Sequence, residues 1–85
     1  MDIELELFGA LRGLEPGDRL QLAVAGDRVA DLRAALAAHA ATRWTQVSPG
    51  LLGSCAFATP GSVLRDSDAL PPDGRMVVLP PVSGG

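Results

Sequence analysis

The chain has no lysine and no tyrosine, and among its 85 residues it has one cysteine, one histidine and one tryptophan. Each shortage removes a class of chemistry. Without lysine there is no side-chain amine for a Schiff base or an isopeptide bond, and all seven cationic side chains are arginine. A lone Cys55 rules out an internal disulfide framework. A lone His39 has no second ligand nearby, so it reads as a surface or capping residue at a helix end, where a cation suits the macrodipole. No apolar run approaches the ~20 residues that span a bilayer. No basic segment precedes an apolar stretch at the N-terminus, so no signal peptide is expected, and the expected compartment is the cytoplasm. The net charge of −3 comes with no basic stripe, which argues against nucleic acid as a partner. What is present is a 47% apolar fraction, ample for the single small core that 85 residues can build.

Hydrophobic periodicity places the elements. Asp2 to Phe8 alternates, with Ile3, Leu5 and Leu7 on one face and Asp2, Glu4 and Glu6 on the other, as in a half-buried strand. Phe8 falls on the polar face. Pro16-Gly17-Asp18 closes a connector, and Arg19 to Ala25 alternates again through Leu20, Leu22 and Val24. The two strands are expected to pair antiparallel. Asp27 is expected to cap a helix from Arg28 to about Ala41, buried through Val29, Leu32, Leu36 and Ala40, with Arg33 and Arg43 toward solvent. Thr42 to Gly50 reads as a loop from which Trp44 folds back onto the core edge. Leu51 to Thr59 reads as a third strand, and Ser62 to Leu64 as a short return after Pro60-Gly61. Asp66 to Leu70 reads as a short helical turn. After the turn Pro71 to Gly74, Arg75 to Leu79 is the last strand.

The order β-β-α-β-β-β describes a mixed sheet of about five strands wrapped on one main helix, an α+β chain of the β-grasp, ubiquitin-like type. The last strand is expected to lie parallel to the first in the middle of the sheet, reached by the long crossover that parallel pairing needs. Its residues are apolar on both faces, yet one helix covers only one face. Met76 and Val78 are therefore expected inward. Val77 and Leu79, joined by Phe8, are expected to form an outward apolar patch of the kind that marks a partner site. Residues 1–80 are expected to form the domain and 81–85 a flexible tail. Pro80 and Pro81 stiffen the exit and cannot donate to a ladder. Gly84 and Gly85 lack Cβ atoms, so the tip can enter a narrow channel carrying a bare carboxylate.

These residues resemble a known family, the small, sulfur-carrying subunits of molybdopterin synthase. The resemblance rests on Leu7-Phe8-Gly9-Ala10-Leu11-Arg12, on Val29-Ala30-Asp31-Leu32-Arg33, on Leu70 with Asp73-Gly74, and above all on Leu79-Pro80-Pro81-Val82-Ser83-Gly84-Gly85. It implies that a partner enzyme adenylates the Gly85 carboxylate and that a sulfur donor converts it to a thiocarboxylate. The tail, Pro80 to Gly84, would then enter the large synthase subunit, in a heterotetramer of two small and two large subunits. There the sulfur passes to cyclic pyranopterin monophosphate. Phe8, Val77, Leu79 and Arg12 would meet the partner. No cofactor is expected to stay bound, only transient AMP and sulfur. The chain departs from the family pattern at Ala58-Thr59-Pro60-Gly61, at Arg75 and at Leu79, where relatives often carry Asn, an acid and an aromatic.

Other signals read as structure. Cys55 alternates with Phe57 and behaves as a small hydrophobe. Asp66, Asp68 and Asp73 sit at turn positions and fit no metal loop, so no metal is expected. A terminal Gly-Gly also suits a sulfur carrier for thiamine or cysteine synthesis, or a ubiquitin-like protein modifier.

Overall fold

The alternating segments do become strands. A computed structural model describes residues 1–81. The strands β1 (Asp2–Leu7) and β2 (Arg19–Ala23) pair antiparallel, with Leu5 opposite Leu20 and Ile3 opposite Leu22. After the helix α1 (Val29–Arg43) and a short helix α2 (Pro49–Gly53) come β3 (Ala56–Thr59), β4 (Ser62–Leu64) and β5 (Arg75–Leu79). The sheet order is β2-β1-β5-β3-β4, and β5 runs parallel to β1 at its centre. β3 pairs antiparallel with β5 on its other side. The mixed five-stranded sheet with one main helix is the β-grasp architecture.

One core lies between the sheet and α1. Ile3, Leu5, Leu7, Leu20, Leu22, Phe57, Met76 and Val78 fill it from the strands. Val29, Leu32, Leu36 and Ala40 fill it from the helix. Trp44, only 1% exposed, closes the end of the core where α1 finishes. The turn before β5 needs glycine. Gly74 has φ +69°, and a Cβ there would stand 2.7 Å from the Asp2 carbonyl oxygen. Instead the Gly74 carbonyl accepts the Glu4 amide at 2.7 Å, which fixes β5 against β1.

Four sequence expectations are corrected. The third strand does not start at Leu51. Ser48 accepts the Leu51 amide at 3.2 Å and Pro49 sits at the first helical position, so the Ser-Pro start signal prevails over the apolar run and makes α2. Asp27 does not cap α1. Arg28 occupies that position, and its amide is bonded by Asp31 Oδ2 at 3.1 Å. Asp66 to Leu70 is not a helical turn, because its main chain is used elsewhere. The Asp68 and Asp66 carbonyls accept the Val29 and Ala30 amides at 3.0 Å each, and the Leu70 amide donates to the Asp27 carbonyl at 2.8 Å. These bonds satisfy donors that the first turn of a helix leaves open. Arg33 does not simply point into solvent; its side chain is only a quarter exposed. It bonds Asp66 at 2.9 Å and donates from Nη1 to the carbonyls of Leu52, Gly53 and Cys55. Its guanidinium also lies 4.9 Å from the centre of the Phe57 ring. This clasp ties α1 to α2, β3 and the 66–70 segment.

Candidate functional site

The end of β5 leads directly to Pro80 and Pro81. Because β5 is parallel to β1, both strands finish at the same edge of the sheet. The loop that follows β1 therefore stands beside the exit. Its second residue, Gly9, has φ +58°, and a Cβ there would lie 2.9 Å from Pro80 Cγ. Glycine is needed at that position both for the backbone and for the proline ring. Gly9 starts a single 3₁₀ turn, Gly9–Leu11, that buries Leu11 in the core. The stem thus leaves the domain over a fixed seat.

Two clusters hold that loop. Asp18, itself at φ +56°, accepts the Gly13 amide at 2.7 Å and Arg12 Nε at 3.4 Å. The Gly13 amide, aided by Arg12, holds the Asp18 carboxyl below the usual aspartate range. Arg12 keeps a side-chain exposure of 67% at the mouth of the loop. Glu15 Oε2 accepts Trp44 Nε1–H at 2.8 Å and meets His39 Nε2 at 2.9 Å. The two rings are edge to face, 5.4 Å apart. His39 is thus half-buried against Glu15, where the sequence suggested a surface residue.

The outward face of the sheet carries the apolar residues expected there. Phe8 is 37% exposed and Leu79 36%, while Val77 is half-buried. Leu7 pairs with Val78, so the next residues along, Phe8 and Leu79, share one end of the face. The pairing then continues the band across Val77, Ala58 and Val63. Val63, at 63%, is more exposed than either, and the sequence reading left it unassigned. A three-residue strand carries too little alternation to assign its faces. Beside the band lies a hollow of about 270 Å³ edged by Glu4, Glu6, Arg19 and Arg75. Arg75 Nε stands 4.0 Å from Glu4 Oε2, and Glu6 pairs across strands with Arg19. A larger apolar groove of about 650 Å³ lies on the solvent side of α1, floored by Ala34, Ala37 and Ala41.

Pro80 and Pro81 are described; Val82, Ser83, Gly84 and Gly85, named above as the rest of the tail, lie outside the described residues. Cys55 is buried, its Sγ donates to the Leu51 carbonyl at 3.3 Å, and burial pushes its thiol up. Asp66, Asp68 and Asp73 do not converge. Asp66 takes Arg33, Asp68 takes the Arg65 amide at 2.7 Å and Asp73 takes the Arg75 amide at 3.1 Å. No group of three potential ligands gathers among the described residues. No helix among them is long and apolar enough to cross a membrane.

A central strand that runs out over a glycine seat, with an apolar band on the open sheet face, defines a ubiquitin-like protein of the β-grasp fold. The ThiS family model matches residues 5–85, and the chain belongs to the ThiS family, whose members are sulfur carriers of this fold. Among solved structures it is similar to SAMP1 from Haloferax volcanii, at 26% identity and a TM-score of 0.67, with 100% of each chain covered. No curated protein matches.

Proposed function

We propose that this chain is the sulfur-carrier subunit of a molybdopterin synthase, acting in the cytoplasm. The observation that carries the reading is the motif Pro80-Pro81-Val82-Ser83-Gly84-Gly85 itself, which lies inside a family match that supports sulfur carriage. In this reading a Gly85 carboxylate oxygen attacks the α-phosphorus of ATP on an activating enzyme. Pyrophosphate leaves and a mixed anhydride forms. A donor supplying sulfur at the sulfide level then displaces AMP and leaves a thiocarboxylate. Its sulfur attacks a carbon of the pterin precursor in the large subunit and displaces the oxygen substituent there; water then cleaves the acyl–sulfur bond, which leaves the sulfur on the precursor and restores the carboxylate. Two deliveries complete a dithiolene. Dividing one hard transfer among covalent steps lowers each barrier.

The chain's own residues carry the tail rather than the chemistry. Pro80 on Gly9 directs the stem, Val82 anchors it in an apolar groove of the partner, Ser83 bonds the channel wall, and Gly84 and Gly85 thread the channel. Phe8, Val77 and Leu79 dock on the large subunit, with Arg12 at the rim, where charge steers encounter.

The test is the intact mass of the full chain after incubation with an activating enzyme, ATP and a sulfur source. One oxygen exchanged for sulfur is expected, and its loss is expected on adding the pterin precursor with a large synthase subunit. Carriers for thiamine or cysteine synthesis would keep their sulfur in that second step. Conjugates on lysines of other proteins would instead indicate a modifier. Deleting Gly85 is expected to abolish transfer and leave the fold intact; an active truncated chain would reject the mechanism.

A further inference from the structure

The Glu15 cluster is not explained by sulfur carriage. It joins three places that a folded core alone would not require to meet: the 9–18 loop, the last turns of α1 and the residue that ends the helix. Glu15 Oε2 takes both Trp44 Nε1–H at 2.8 Å and His39 Nε2 at 2.9 Å. The side chains are only 18% and 19% exposed, so the contact is partly shielded from water. His39 is the chain's single histidine. Imidazole is the side chain whose charge changes near neutral pH. The loop that Glu15 anchors also supplies Gly9, on which Pro80 sits.

We propose that Glu15, His39 and Trp44 form a proton-sensitive latch that sets how firmly the 9–18 loop holds the seat of the C-terminal stem. When His39 is protonated, its bond to the Glu15 carboxylate is charge-assisted, roughly twice as strong as a neutral bond. When His39 loses its proton, Glu15 keeps the Trp44 indole but loses the ion pair, and the loop slackens. When Glu15 itself is protonated, the pair is lost again. The latch is therefore tightest in the window where His39 is charged and Glu15 is ionised together. The hydrogen bond to His39 is the chief cause that holds the Glu15 carboxyl below the usual glutamate range, which extends that window toward acid. The charges facing the carboxylate are His39 and, more weakly, Arg43, both from α1. On the loop's own side Asp18 and Arg12 are paired with each other. The inference does not depend on which pathway the chain serves.

The test is a pH titration of the full ¹⁵N-labelled chain by NMR, from pH 5 to 8. The Trp44 indole and the amides of Gly9 and Leu79 are expected to shift together, with the midpoint of the His39 ring protons. His39→Gln, which keeps a donor and cannot titrate, is expected to remove all three transitions while urea unfolding shows the variant folded. A Trp44 indole that does not respond across the His39 titration would overturn the latch, as would unchanged transitions in His39→Gln. An indole that moves while Gly9 and Leu79 stay still would overturn the link to the stem.

Discussion

Replacing Gly9 by alanine tests whether the exit of the tail is truly seated. The substitution does two things that can be separated. It places an L-residue at φ +58°, which costs about 1–2 kcal/mol. It also sets a Cβ 2.9 Å from Pro80 Cγ, closer than a real contact allows, and overpacking of that kind costs about 1–3 kcal/mol. The sum, about 2–5 kcal/mol, is a large share of the ~4–13 kcal/mol that a chain of this length holds. At ~4–8 °C per kcal/mol for domains of this size, Tm should fall by at least ~8 °C. A thermodynamic cycle isolates the contact. In a Pro80→Ala background, Gly9→Ala should retain only the backbone cost, so that the coupling is about 1–3 kcal/mol. Gly13→Ala supplies a control at φ +87°, where an added Cβ meets nothing within 4 Å. Thermal and urea unfolding followed by circular dichroism give every value. A coupling near zero would refute the seat, and the stem would then leave the domain without help from the loop.

Five further outcomes rest on the same geometry. Arg33→Met strips partners from the carbonyls of Leu52, Gly53 and Cys55 and should cost about 1–3 kcal/mol in urea unfolding. Arg33→Lys should recover only part of that loss, since an ammonium cannot reproduce the fork; full recovery would show that charge alone matters. Glu15 has a carboxyl lowered by folding, so its contribution is present above the ordinary glutamate pKa of about 4.3 and is lost as pH falls through the lower folded value. Wild type should therefore exceed Glu15→Gln by ~1 kcal/mol at pH 7, and the gap should close in acid; a gap independent of pH would refute this. The buried Cys55 should react with a thiol reagent only as fast as the domain opens, and as an ordinary thiol in denaturant; fast labelling of the native chain would contradict the burial. Leu79→Asp should weaken binding to a large synthase subunit by ~1–3 kcal/mol, read by calorimetry, and lower stability by less than ~1 kcal/mol; equal binding would remove Leu79 from the interface.

The strands were legible because alternation survives in them. Ile3, Leu5 and Leu7 point inward as their spacing requires, and Met76 and Val78 do the same in β5. The central place of β5 followed from the β-β-α-β-β-β order and the crossover it implies, and its two apolar faces then pointed to the outward residues. The helix stripe of Val29, Leu32, Leu36 and Ala40 held without exception. What periodicity could not see were contacts between distant segments. Arg33 looks solvated on a helical wheel, yet its partners lie 19 to 33 residues away. Glu15 meets His39 and Trp44 across 24 and 29 residues. Leu51 and Leu52 fitted a strand by apolarity, and the Ser48-Pro49 start decided for helix locally. Of the candidate site, Phe8, Val77 and Leu79 were readable as outward apolar residues. Val63 and the Gly9 seat needed the sheet's register and the loop's fold.

The side-by-side, same-direction pairing of β1 and β5 has a mechanical consequence. A pull on the chain beyond Pro81 is transmitted along β5, parallel to the ladders it shares with β1 and β3. Such a load shears several hydrogen bonds at once instead of unzipping them singly from one edge. An enzyme could tug the end of this chain into its interior, and release it again, without starting to unravel the body to which it is attached.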